Sequence, residues 1–366
     1  MQLTASVNTL FELLRAGLHP ECAVKVEWSE APDWAAVYRL ATEQGVAAIA
    51  WDGVAALRDA GQIPPSMEMP RTLKLQWAMQ VEQIEQRYER QLACATKLTN
   101  YFAQNNVRTV VLKGFAISVL YPKPNHRECG DLDCFLCGDY ERGNQLAEAF
   151  GAKVERDFYK HSHIEYRQLL VENHQFCTAI RGARERKEFE KHLQQLLSKP
   201  SMQKVAESAM EIPSVDFNAL FLTAHGMSHF INEGLKLRHL CDWALLLQHK
   251  ADAIDWPTFD RWIAYMSYDR FVQTMTALSV SYLGVSISGL DGCMNDQYSD
   301  RVLDDILWGD RAIYSSGKSR FMQRWMLITN RFRTHWKYRL IYRRSMAIDV
   351  MRMIYAYFFE KHPKLS

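Results

Sequence analysis

Residues 107–115, VRTVVLKGF, and residues 127–136, RECGDLDCFL, are the part of the chain whose reading decides the fold. The first is a run of β-branched residues stopped by Lys113-Gly114, with a short helix indicated by Phe115, Ile117, Val119 and Leu120. In residues 131–137 side chains alternate faces if the segment is a strand. Asp131 and Asp133 then project side by side, while Leu132, Cys134 and Leu136 enter a core. Adjacent carboxylates repel, so the pattern is costly unless a cation neutralises it, and Mg²⁺ held by carboxylates and substrate phosphates is the usual solution. Gly114 suits the same chemistry, because a residue without Cβ lets the backbone approach an anion closely. Lys113 and Arg127 flank the pair as candidate phosphate-binding cations.

Outward from this stretch the period is helical. Trp77, Val81, Ile84, Tyr88, Leu92, Ala95, Leu98 and Phe102 form one apolar stripe that ends at Asn105-Asn106, residues that tolerate a left-handed helix end. Earlier, Asp33 is placed to cap a helix running to Gly45. Residues 140–150 read as a helix, and residues 153–157, 163–169 and 170–177 as further strands. From Arg184 the spacing predicts helices over 187–197, 202–210, 216–232, 237–247 and 258–283. The fold class is α+β: a small mixed sheet flanked by N- and C-terminal helical blocks. The expected division is residues 1–104, 105–183, 184–310 and a tail, 311–366.

Composition fits an ordinary folded chain, with 48% hydrophobic and 23% charged residues among 366. Eight cysteines are too few for a disulfide scaffold, and the N-terminal residues lack the pattern of a secretory signal, so the expected setting is a reducing cytosol. The uncharged run 271–290 holds too many hydroxyl and amide groups for a membrane span. The net charge of +2 is an average of unlike parts, since residues 311–366 carry 13 Lys/Arg against Asp349 and Glu360, leaving the remainder acidic. Phe321, Trp325, Ile328, Phe332 and Trp336 share one helical face there. Such a tail can meet nucleic acid or an anionic membrane, but packing on the acidic body is the favoured reading.

Together the motifs make a resemblance. Lys113-Gly114, Tyr121-Pro122-Lys123-Pro124, Arg127 and Gly130-Asp131-Leu132-Asp133 look like the uncharacterised nucleotidyltransferase family of the polymerase β-like superfamily. Ala41-Thr42-Glu43-Gln44-Gly45-Val46, Val171-Glu172-Asn173-His174, Phe221-Leu222-Thr223-Ala224-His225 and Arg238-His239-Leu240-Cys241-Asp242 resemble it in order and spacing, over about residues 30–290. The resemblance implies transfer of a nucleoside monophosphate from an NTP such as ATP to an unknown acceptor. It also implies two Mg²⁺ ions, or Mn²⁺, held by Asp131, Asp133 and a third carboxylate. Glu172 is the expected third, from its Glu-x-His motif, with Glu165 as the fallback. Lys113, Gly114, Arg127, His174 and Arg238 would attend the nucleotide, with His225 and Asp242 as further candidates.

Two features compete with that reading. The superfamily usually carries a second small residue after the glycine, where this chain has Phe115, and a bulky side chain there would suit a non-catalytic nucleotide-binding or scaffold protein of the same fold. His225 and His229 have the i, i+4 spacing of a zinc pair, with Asp242 as a third donor. Cys129, Cys134 and Cys137 mimic an iron–sulfur spacing, but strand alternation sends Cys134 and Cys137 apart.

Overall fold

The apolar stripe becomes α4 (Arg71–Gln104), 34 residues long, with Trp77, Val81, Ile84, Tyr88, Ala95, Leu98 and Phe102 all buried. It ends where Asn106 takes φ 59°, so the second asparagine supplies the left-handed residue. This is a computed structural model that describes residues 3–20, 31–156, 158–286, 297–309 and 332–359, with positions 22, 25, 26, 28, 329 and 365.

Among the described residues, three α-helices precede α4: α1 (Ala5–Leu18), α2 (Trp34–Glu43) and α3 (Ala47–Asp59). The Asp33 carboxylate caps α2 by accepting from the Ala36 amide at 3.0 Å. α1 and α3 cross with glycine against backbone: a Cβ on Gly53 would lie 1.9 Å from the Leu13 carbonyl oxygen, and one on Gly17 2.2 Å from that of Ile49.

After α4 come β1 (Thr109–Val111), α5 (Phe115–Ser118), β2 (Leu132–Phe135), α6 (Tyr140–Ala149), β3 (Lys153–Glu155), β4 (His161–Tyr166) and β5 (Leu169–His174). With β6 (Met210–Glu211) they form one mixed sheet in the order β3-β4-β5-β2-β1-β6. β2 runs parallel to β5 and antiparallel to β1. One face of this sheet is apolar: Leu132, Cys134, Ile164 and Val171 pack with Leu98 and Phe102 of α4 and Ala147 of α6. The opposite face of β2, β4 and β5 carries the polar residues.

The C-terminal helices are α7 (Arg184–Ser198), α8 (Val215–Asn232), α9 (Leu237–Lys250), α10 (Trp256–Met266), α11 (Asp269–Leu283) and α12 (Ser299–Trp308). Their buried residues and those of α1–α3 belong to one apolar cluster. The helix expected at 202–210 does not form. Ser208 Oγ instead bonds the Val205 carbonyl at 2.5 Å and accepts from the Met210 amide at 3.1 Å, a local closure that competes with helix and leads the chain into β6. The long helix expected at 258–283 is two helices, parted at Ser267, whose φ is 61°.

Of the C-terminal tail, residues 311–328 lie outside the described residues, with Phe321, Trp325 and Ile328 among them. Where it is described, the tail lies on the acidic body. Lys337 is buried, 2.7 Å from Asp305, Arg344 lies 2.6 Å from Glu185, and Arg343 pairs with Asp269. Trp336 meets Phe230 edge-on at 5.7 Å, but Phe332 is exposed, against expectation, so the shared face is only partly covered.

Gly53→Ala should destabilise the protein despite the higher helix propensity of alanine. The propensity gain is about 1 kcal/mol, whereas forcing a methyl into backbone costs about 1–3 kcal/mol or more, and the urea midpoint should fall. A second test is His126, whose ring reaches Asp52 of α3 at 2.5 Å and Glu85 of α4 at 2.7 Å. Burial alone would lower its pKa, but the bonds to Asp52 and Glu85 outweigh burial and raise it. A raised histidine stabilises fully below its unfolded value of about 6.5 and loses that contribution as pH rises through the folded value. The stability gap between wild type and His126→Gln should therefore shrink above neutral pH, as read by melting temperature.

Candidate active site

Register assembles the polar face. Asp133 of β2 lies opposite Glu172 of β5, Glu172 lies opposite His163 of β4, and His174 lies opposite His161. Since alternate residues share a face, Asp133, Glu172, His174, His161 and His163 converge while their neighbours in sequence fill the core. Asp131 stands one residue before β2, half exposed, at the edge of this group.

Donor atoms of Asp133, Glu172 and His174 all lie within 4.8 Å of one another. His174 Nε2 is 3.0 Å from Asp133 Oδ1 and 3.3 Å from Glu172 Oε2. Its Nδ1 lies 3.0 Å from the Phe176 carbonyl, so Nδ1–H donates there and the ring is held in place. Burial lowers the pKa of His174 and Lys160 adds to that, but the two carboxylates outweigh both and raise it. Lys113 Nζ lies 2.9 Å from Asp133 Oδ2 and 3.8 Å from Asp131 Oδ1. Burial opposes ionisation of Asp133, yet Lys113 and His174 hold its carboxyl well below the usual range. Asp131 is shifted upward, by burial and by the Asp133 charge. Asp133 Oδ2 is buried and, despite the nearby ammonium, has no aligned hydrogen-bond donor. The oxygens of Asp133 and Glu172, one of them orphaned, with Asp131 at the edge of the group, fit a hard divalent cation. Glu165, the fallback, is itself exposed on β4 opposite Leu170, outside this cluster.

Gly114 adopts φ 61° and ψ −109°, a conformation that side-chain-bearing residues rarely take, and leads into α5. Phe115 points away from the cleft. It is buried, edge-on to Tyr88 at 5.0 Å, in the core beneath the sheet. The bulky residue therefore does not fill the cleft.

Arg127 lines the cleft with Lys113 and Gly114, but its guanidinium is taken up by a carboxylate, and His174 is buried. Arg127 gives Nε and Nη2 to the two oxygens of Asp242 at 3.0 and 2.7 Å, and the Tyr121 hydroxyl donates to the same carboxylate at 2.7 Å. Asp242 is thus engaged by Arg127 and Tyr121, and the group that His225 and His229 form is completed by His239 and not by Asp242. His174 lies beneath the carboxylates with both ring nitrogens engaged. Arg238 differs, since its guanidinium makes no hydrogen bond or ion pair among the described residues and lines the cleft with Lys113, Gly114 and Asp131. It is seated by Gln44-Gly45: Gln44 Oε1 accepts from the Leu237 amide at 3.0 Å, and a Cβ on Gly45 would lie 3.1 Å from the Arg238 side chain. Gln44 and His239 were missed as site residues, although both lie in motifs that carried the resemblance. Among the described residues, no cysteine joins a metal-capable cluster, and Cys134 lies in the core.

Residues 30–284 match the family model described as Uncharacterised nucleotidyltransferase. The chain belongs to that family. Its nucleotidyltransferase region starts just before α2 and closes after α11, so it includes both walls of the cleft and the Gln44-Gly45 seat. No curated protein and no solved structure matches the chain. Membership supports a nucleotidyl transfer role, hence a nucleotide substrate, and no described helix is long and apolar enough to cross a membrane.

Arg127→Gln should cost about 3–5 kcal/mol of stability, because it strands a buried carboxylate. The double variant Arg127→Met/Asp242→Leu should recover much of that loss in urea unfolding. Recovery would identify the pair as a tie between elements rather than a phosphate contact.

Proposed function

We propose that this nucleotidyltransferase moves a nucleoside monophosphate from an NTP to an acceptor with two Mg²⁺ ions, Mn²⁺ serving in their place, held by Asp131, Asp133 and Glu172. The observation that carries the reading is the parallel register setting Asp133 against Glu172, with Asp131 and Lys113 at the rim of one cleft. Bound there, Mg²⁺ supplies charge neutralisation at phosphorus and favours the alkoxide form of an acceptor hydroxyl.

The protein residues do the rest by position. Lys113 is the cation between the carboxylates and the cleft, able to turn from Asp131 to a phosphate oxygen. Arg238 is unpaired among the described residues and reaches the cleft from the opposite wall, where a guanidinium can take two phosphate oxygens at once. Gly114 presents backbone without a side chain beside Lys113. His174 donates Nε2–H to Asp133 and so fixes the carboxylate orientation. Residues 105–183 carry this chemistry, and the helical blocks 1–104 and 184–310 close the cleft around it. The alternative, a non-catalytic nucleotide-binding or scaffold protein, loses its main support with the Phe115 ring in the core.

Titration calorimetry with a non-hydrolysable NTP and Mg²⁺ tests the assignment. Asp133→Asn and Glu172→Gln should abolish Mg²⁺-dependent binding while the proteins stay folded. Arg238→Ala should weaken binding about tenfold to a hundredfold, the worth of one or two charge-assisted contacts of about 1.5–3 kcal/mol. Unchanged affinity in Asp133→Asn would sink the site. A wild type that binds no NTP would favour the scaffold reading.

A further inference from the structure

Across the cleft from the carboxylates, three imidazoles meet. His225 and His229 stand one turn apart on α8, and His239 comes from the first turn of α9. One donor nitrogen from each lies within 4.8 Å of the others. His225 Nε2 and His229 Nε2 face each other at 3.0 Å. The other nitrogen of His229, Nδ1, lies 3.1 Å from Glu233 Oε2, the carboxylate–imidazole arrangement that fixes a ring with Nε2 free to coordinate. All three rings are half-buried, and they line the same cleft as Lys113 and Arg238.

The geometry points to a second metal site, formed by His225, His229 and His239, for a borderline transition dication of the Zn²⁺ type. Imidazole nitrogen is the ligand of such ions, whereas Mg²⁺ prefers oxygen, so this group of three imidazoles differs in ligand class from the carboxylates of Asp131, Asp133 and Glu172. The spacing also suits the ion. Two nitrogens bound tetrahedrally at about 2.0–2.1 Å stand about 3.3 Å apart, so the observed pair needs to open by only a few tenths of an ångström. Ligation needs neutral rings. Burial, with Lys113 and His229, holds His225 well below the usual histidine range, and burial, with His229 and Arg238, does the same to His239.

His239 Nδ1 accepts from the Lys236 amide at 3.0 Å, which puts its ring proton on the other nitrogen. Coordination there moves that proton to Nδ1 and gives up the cap contact, so His225 and His229 are the firmer half of the site. Three protein ligands leave a fourth position for water or for a group entering the cleft. This inference does not depend on nucleotide transfer, and its test uses no nucleotide.

The experiment is a titration of the metal-stripped full chain with Co²⁺ alone. A d–d absorption of tetrahedral intensity should grow to one equivalent, be bleached by Zn²⁺, and persist in a hundredfold excess of Mg²⁺. His229→Gln should abolish it and His239→Gln weaken it at least tenfold, with circular dichroism confirming the fold, while Asp133→Asn and Glu172→Gln should retain it. X-ray absorption of the wild-type Zn²⁺ form should show imidazole scattering, a reading that needs no variant. No tetrahedral band, a band lost in Asp133→Asn, or a Zn²⁺ shell of oxygen without imidazole would overturn the proposal and leave the 3.0 Å contact as an N–H···N hydrogen bond.

Discussion

Arg127 gives both arms of its guanidinium to Asp242, and Tyr121 donates to the same carboxylate, in a region from which water is excluded. Taking both charges from water is expensive, and the pair repays that only while its geometry holds. The turn before β2 and helix α9 are therefore locked together. Since Arg238 and His239 lie on the same helix as Asp242, the lock also sets how far they stand from Asp131 and Lys113. Gln44 reinforces it from the N-terminal side: its amide nitrogen donates to the Ile306 carbonyl at 3.0 Å while its oxygen holds the start of α9. A residue that looks like a phosphate ligand in the sequence is thus the pin on which both walls of the cleft are hung.

The carboxylate face poses the opposite problem, since like charges have been brought together. Register makes this unavoidable, because a strand that buries Leu132 and Cys134 on one side must present Asp133 on the other. Two donors relieve the repulsion in the structure, the Lys113 ammonium from above and the His174 ring, which donates Nε2–H to Asp133, from beneath. Their placement differs in consequence. His174 is fixed by the Phe176 carbonyl and stays with the carboxylates, whereas Lys113 is tethered only to the carboxylates it would yield to an incoming ion.

The sheet and most helices were legible because both rest on periodicity. The β2 alternation, the α4 stripe and the left-handed Asn106 follow from residue types over a few positions. Two local predictions failed for a common reason. Both were cut short by a local backbone turn that an apparently helical apolar spacing does not show: at Ser208 the hydroxyl offers the backbone another partner, and at Ser267 the residue itself turns left-handed. The position of Glu172 beside Asp133 was legible because motif and strand spacing agreed. The roles of Arg127 and His174 were not, because nothing local reveals that Asp242, 115 positions away, consumes the guanidinium. Nor could spacing reveal that His239, and not Asp242, completes the trio with His225 and His229, since that depends on how α9 packs against α8.

Hardness of the donor atoms separates what the carboxylates and the three imidazoles of the helical side can hold. Carboxylate oxygens draw cations that keep much of their hydration and share it with phosphates, and the imidazoles of His225, His229 and His239 draw ions that bind few ligands closely. Charge sharpens the division. The sheet side carries the carboxylates, so it attracts any dication, while the helical side offers imidazoles beside Arg238 and must rely on bond strength rather than net attraction. A mobile hard ion would therefore settle on the sheet, and only an ion with real affinity for imidazole would overcome the nearby guanidinium. The same guanidinium favours a polyphosphate entering between the walls, so the features that repel cations from the helices are those that draw the substrate's anionic end toward them.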